Sequence, residues 1–146
     1  MTALILAATL AAIPATQPDT TAIAGSWTAE FHGRTFIRLE LRILRGALTG
    51  SISTGDLQVN EQGEIRHVGE APRTPSPIFD VAYQSATVTF SRKDGHEADR
   101  FEFRVLDDSR GELRLVLTDE VRKELAADGI PLPKPIMLTR LTGPKL

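Results

Sequence analysis

The sequence predicts an all-β fold: an antiparallel up-and-down meander of about eight or nine strands, closed into a small barrel, with one short helix before the last strand. A β-sandwich is the alternative. Three observations lead there. Apolar and polar residues alternate with period two in one segment after another. The connections are mostly short enough for hairpins. Strands that are greasy on one face only must close on themselves or on a second sheet, and sequential hairpins favour closure.

The clearest alternation lies between Ala24 and Gly55 and reads as three consecutive strands. In the first, Trp27, Ala29 and Phe31 alternate with Ser26, Thr28 and Glu30. In the second, Thr35, Ile37, Leu39, Leu41 and Ile43 form one face, and Phe36, Arg38, Glu40 and Arg42 the other. A helix would scatter those arginines among the leucines. In the third, Leu48, Gly50 and Ile52 alternate with Thr49, Ser51 and Ser53. His32-Gly33 and Arg45-Gly46 suit tight turns, and Gly50 inside a strand predicts a bulge or a close backbone approach.

Further along, Asn60 to Gly63 is a turn signal and Glu64 to Glu70 a strand of poor alternation. Pro72, Pro75 and Pro77 mark an extended loop. A strand from Ile78 to Tyr83 puts Phe79, Val81 and Tyr83 on one face. Val88 and Phe90 point inward from the next, with Thr87, Thr89 and Ser91 outward. Lys93 to Ala98 is a polar connection. Phe101, Phe103 and Val105 then alternate with Arg100, Glu102 and Arg104, and Leu113, Leu115 and Leu117 with Glu112, Arg114 and Val116. Thr118 or Asp119 caps a helix with Glu120 in its first turn, Val121 and Leu125 on one face, and Gly129 and Pro131 ending it. The last strand runs from Ile136 to Leu141.

A chain of 146 residues fits one domain and buries roughly two thirds of its unfolded surface, so it folds without cross-links. The net charge of −2, with both signs interspersed, argues against nucleic acid or an anionic membrane as the main partner. There is no cysteine, hence no thiol nucleophile and no disulfide. Residues 3–13 are apolar but too short to span a bilayer, and Ile13-Pro14-Ala15 precedes a polar stretch. We read residues 1–15 as a secretory signal peptide, 16–22 as a polar lead-in and 23–146 as one barrel domain. The expected location is secreted or periplasmic, with no stable membrane span after signal cleavage.

Gly25-Ser26-Trp27, Leu39-Glu40-Leu41 and Leu48-Thr49-Gly50-Ser51 resemble the pattern of small secreted bacterial lipocalin-like domains of the calycin type. The match covers mainly residues 23–55. The resemblance implies that Trp27 closes one end of the barrel beneath Arg140 from the last strand. The Thr-Asp-Tyr type motif of lipocalins is absent, and the mature chain is short for a roomy cup.

Candidate chemistry is sparse. Asp94 to Asp99, with His96 and Glu97, is the densest set of oxygen and nitrogen donors, but its spacing matches no metal loop and a solvated hairpin tip explains it equally well. His32 precedes a turn glycine. His67 and Asp80 form an acid–base pair only if both face the lumen. No catalytic residue, metal ligand or cofactor is assigned. If the lumen takes a ligand, Trp27, His67, Asp80, Tyr83 and Arg140 are the residues expected to line it. The expected function is a non-enzymatic lipocalin-like barrel binding a small apolar ligand or a protein partner. The alternatives are a small hydrolase or isomerase with a lumen site, and an inhibitor or accessory domain of an envelope enzyme.

Overall fold

The computed structural model describes residues 20–132 and 134–141. The expected signal peptide, residues 1–15, and most of the lead-in lie outside them. Among the described residues ten strands form, in chain order: β1 Gly25–Phe31, β2 Arg34–Leu44, β3 Ala47–Thr54, β4 Leu57–Val59, β5 Ile65–Val68, β6 Ser76–Gln84, β7 Thr87–Asp94, β8 Glu97–Val105, β9 Arg110–Val116 and β10 Ile136–Arg140. A short helix, α1 Thr20–Ile23, precedes β1, and α2 Asp119–Ala127 lies between β9 and β10. Eight strands close into an antiparallel barrel in the order β1-β2-β3-β6-β7-β8-β9-β10, with β10 returning to β1. Between β3 and β6, β4 and β5 pair as a separate two-stranded ribbon.

The core follows from the period-two pattern. Trp27, Leu39, Leu41, Ile52, Val88, Phe90, Phe103 and Leu138 are fully buried inside the barrel, and Arg38 and Arg104 are exposed. His32-Gly33 and Arg45-Gly46 make two-residue turns with positive φ at both positions, the conformation that matches strand twist. Gly50 stands opposite Leu41, so close to the β2 backbone that a Cβ would overlap the Glu40 carbonyl.

Two bulges in the barrel shift the alternation. Ala29 pairs with Ile37 and Glu30 with Thr35, so Phe36 is an extra residue in β2. Phe36, expected on the polar face, is therefore buried beside Ile37 at 1% exposure, and Thr35 leaves the inward set. In β6 the register against β7 gains a residue between Phe79 and Ala82, where Asp80 takes φ 50°. Ile78 is buried in place of Phe79, which faces solvent, while Val81 and Tyr83 pack against the core.

The apolar faces also stop short of the strand ends. Ile43 is exposed near the β2–β3 turn. Leu115 is 42% exposed because β10 pairs with β9 only as far as Leu113. Charged side chains on the outer faces pair along a strand rather than across strands: Arg42 with Glu40 at 2.9 Å, Arg114 with Glu112 at 2.6 Å. The β3 neighbours of Glu40 and Arg42 are Ser51 and Thr49, which offer no opposite charge, whereas Arg114 and Glu112 pair with each other although Glu102 and Arg104 stand opposite them on β8. Such exposed pairs contribute about 0–1 kcal/mol each. Helix α2 is capped by Thr118, whose hydroxyl accepts the Val121 N–H at 3.3 Å, and it buries no residue.

Candidate functional site

The two ends of the barrel differ. One is plugged. Trp27 and Arg140 are register partners across the β1–β10 seam, and the Arg140 guanidinium lies 4.4 Å from the centre of the Trp27 ring. Arg140 Nη1 donates to the Ala24 carbonyl at 2.8 Å, and Nη2 donates to the Ala22 carbonyl. Trp27 Nε1 donates to the Ile23 carbonyl at 3.0 Å, and Phe103 meets the indole edge-on at 5.0 Å. Helix α1 thus stoppers this end, and Ile23 is fully buried there.

The other end is open. A recess of about 180 Å³ enters the lumen there. Its wall is mostly apolar: Phe36 and Ile37 from the β2 bulge, Leu57 from β4, Phe101 from β8, Leu113 and Leu115 from β9, and Ile136 from β10. Arg92, Asp99, Thr54 and Lys134 supply the polar part. Arg92 and Asp99 are register partners on β7 and β8. Arg92 Nη2 lies 2.8 Å from Asp99 Oδ2, Nη1 donates to Thr54 Oγ1 at 2.5 Å, and the guanidinium rests 5.2 Å from the Phe101 ring centre. The Arg92 side chain is only 13% exposed, so a cation is held at the edge of an apolar chamber with its charge balanced by one carboxylate.

On its other side Arg92 borders a polar cleft of about 310 Å³ whose walls include Ser53, Thr54, Asp56, Thr74, Ser76 and Lys93. This cleft opens where β3 and β6 share only the pairs Ser51–Pro77 and Ile52–Ser76. Over the mouth, the β4–β5 ribbon meets the segment leading into β10. The Lys134 N–H donates to the Gly63 carbonyl at 3.2 Å, and Gly63 is buried against the Leu132 carbonyl.

The expected lining residues do not converge. Trp27 and Arg140 meet, but at the stoppered end. Tyr83 is half-buried on β6. Asp80 is exposed at the β6 bulge. His67 is exposed on β5, outside the barrel, so His67 and Asp80 do not share the lumen. Instead His67 shares a surface cleft with His32, Arg34 and Arg66. Among the described residues no three His, Asp or Glu side chains gather as a metal site.

Sequence reasoning missed Arg92 and Asp99 as site residues. The signal was available: Arg92 continues the inward parity of Val88 and Phe90, and Asp99 that of Phe101 and Phe103. Comparison of the chain with family models, with curated proteins and with solved structures returned no match.

Proposed function

We propose that this protein is a lipocalin-like, non-enzymatic binding barrel of the secreted or periplasmic compartment, which holds a small apolar ligand in the open end of its lumen. The observation that carries the reading is the asymmetry of the two ends, one stoppered by Trp27 and Arg140, the other an apolar recess rimmed by Arg92 and Lys134. Size narrows the ligand. An engineered apolar cavity of about 150 Å³ takes up benzene, and this recess has about 180 Å³. A single ring or a short acyl chain fits. A polar or anionic end group would sit at the exposed Lys134 on the rim, since Arg92 is already paired with Asp99.

The test is a thermal-shift and calorimetric series using cyclohexane carboxylate, benzoate and straight-chain acids of increasing length. A ligand at one hundred times its Kd adds about 2.7 kcal/mol of stability. We expect the rise in Tm to peak at ring or short-chain size and to shrink when Leu57→Trp fills the mouth. No shift across the whole series would overturn the proposal.

A second reading, a protein partner at the surface, is favoured by the exposed apolar side chains of Val121 on α2, of Ile130 and Leu132 after it, and of Met137 on β10. Retention of purified protein on periplasmic extract, lost when Leu132 and Met137 are both replaced by Ser, would support it.

A further inference from the structure

A second concave site lies outside the lumen, between the β1–β2 turn and β5. It is a cleft of about 240 Å³ lined by Phe31, His32, Arg34, Arg66, His67 and Val68. Two guanidinium groups and two imidazoles face it, and no carboxylate lines it. That composition is a local reversal in a chain of net charge −2. It is also assembled from afar, since residues 31–34 and 66–68 belong to separate ribbons.

Parts of the cleft are held in place before any ligand arrives. Arg34 Nη1 donates to the Val68 carbonyl at 3.2 Å, which fixes the guanidinium and leaves its other N–H groups without a partner among the described residues. The His32 ring packs edge-on against Phe31 at 4.2 Å. The nearby Glu30 carboxylate accepts from the Thr35 hydroxyl at 3.4 Å. His32 takes φ 51° and Arg45 takes φ 52° in the equivalent turn of the next hairpin, so the turn conformation itself carries no message. What matters is the chemistry it delivers to the cleft.

Like charges gathered without a carboxylate between them repel one another, and a concave wall of one sign concentrates the field on a counter-ion. A guanidinium presents a planar fork of donors that matches two oxygens of one tetrahedral anion, and an imidazole adds an N–H from the side. We infer that this cleft is a binding site for a phosphate-type oxyanion, carried either by a small soluble molecule or by a lipid headgroup. The inference is independent of the lumen ligand.

The test uses the full chain and inorganic phosphate as the probe, read by the ring resonances of the three histidines. We expect His32 and His67 to shift together and saturably, with His96, which lies on the β7–β8 turn and does not line the cleft, as the internal control that does not move. Chloride at equal ionic strength should not reproduce the effect. Arg66→Gln should weaken phosphate binding about tenfold, the worth of one charge-assisted hydrogen bond, with Trp27 emission unchanged as a check on folding. A parallel arm uses phosphatidylcholine vesicles with and without phosphatidic acid. Retention on the acidic vesicles, lost in Arg66→Gln, identifies a headgroup; saturation by free phosphate without vesicle retention identifies a soluble ligand. Linear shifts, equal shifts with chloride, or an Arg66→Gln variant that binds as well as the parent would overturn the inference.

Discussion

Gly111 on β9 stands directly beneath the ring of Phe103 on β8, so close that a Cβ would overlap the ring carbons. Phe103 in turn braces the edge of Trp27. The missing side chain at position 111 is what lets the largest aromatic pair of the core seat itself. Gly111→Ala must displace either the ring or the strand. We expect a loss of about 1–3 kcal/mol, measured by urea denaturation followed through Trp27 fluorescence. An unchanged midpoint would show that the ring has room to move.

Arg140 is the residue most exposed to substitution at the stoppered end. It combines a cation–π contact with two donations to backbone carbonyls. Arg140→Ala should cost about 2–4 kcal/mol, and Arg140→Lys should recover only part of it, because one ammonium cannot serve the ring and both carbonyls in the same plane. Denaturation midpoints of the two variants give the answer. Equal stability of Lys and Arg at this position would reduce the guanidinium to a simple charge.

Gly63 joins the β4–β5 ribbon to the segment before β10. It adopts φ 78° and lies against the Leu132 carbonyl, so Gly63→Ala is both strained and crowded. The expected result is loss of the clasp while the eight-stranded barrel persists. Hydrogen exchange at the Lys134 amide, which donates to Gly63, should speed up, while exchange in β7 and β8 stays slow. Coordinated loss of protection in both regions would mean that the clasp and the barrel unfold as one unit.

The Asp107 carboxyl in the β8–β9 turn is held down from its usual 3.8 to about 2. The backbone N–H of Ser109 contributes most, followed by the Arg110 side chain. A carboxyl depressed in the folded state favours folding at pH values above its unfolded pKa, and that contribution disappears as pH falls through the folded value. The turn's contribution to stability should therefore be complete above about pH 4 and decline as pH falls towards about 2, while the carboxylate's own hydrogen bonds break only as pH passes through about 2. A carbon-detected titration of Asp107 checks this: a midpoint near 3.8 would remove the proposed network. Asp107→Asn should abolish the transition at this turn.

Which parts of this molecule were readable from the sequence depends on where alternation is undisturbed. The runs from Ile37 to Leu41 and from Phe101 to Val105 follow a strict period of two, and their faces are where the pattern puts them. The errors cluster at Phe36 and Phe79, each beside a bulge that inserts one residue and puts the alternation before it out of phase with the alternation after it. Neither bulge is marked by a glycine, so composition does not announce it. The candidate site was half legible. Trp27 and Arg140 face each other at the seam, but His67 was misplaced because β4 and β5 form a ribbon outside the barrel. Arg92 and Asp99 were passed over because charged residues at strand ends look like surface, although their parity points inward.

The β1–β10 seam has a practical corollary. The first barrel strand starts and the last one finishes side by side, with the Leu141 N–H donating to the Ser26 carbonyl at 2.7 Å. A group attached at Ala22 or Leu141 therefore sits at the end opposite the recess. A bead, a fluorophore or a neighbouring domain attached there would orient the protein with its entrance facing away from the anchor, so immobilised protein should remain accessible to whatever it captures.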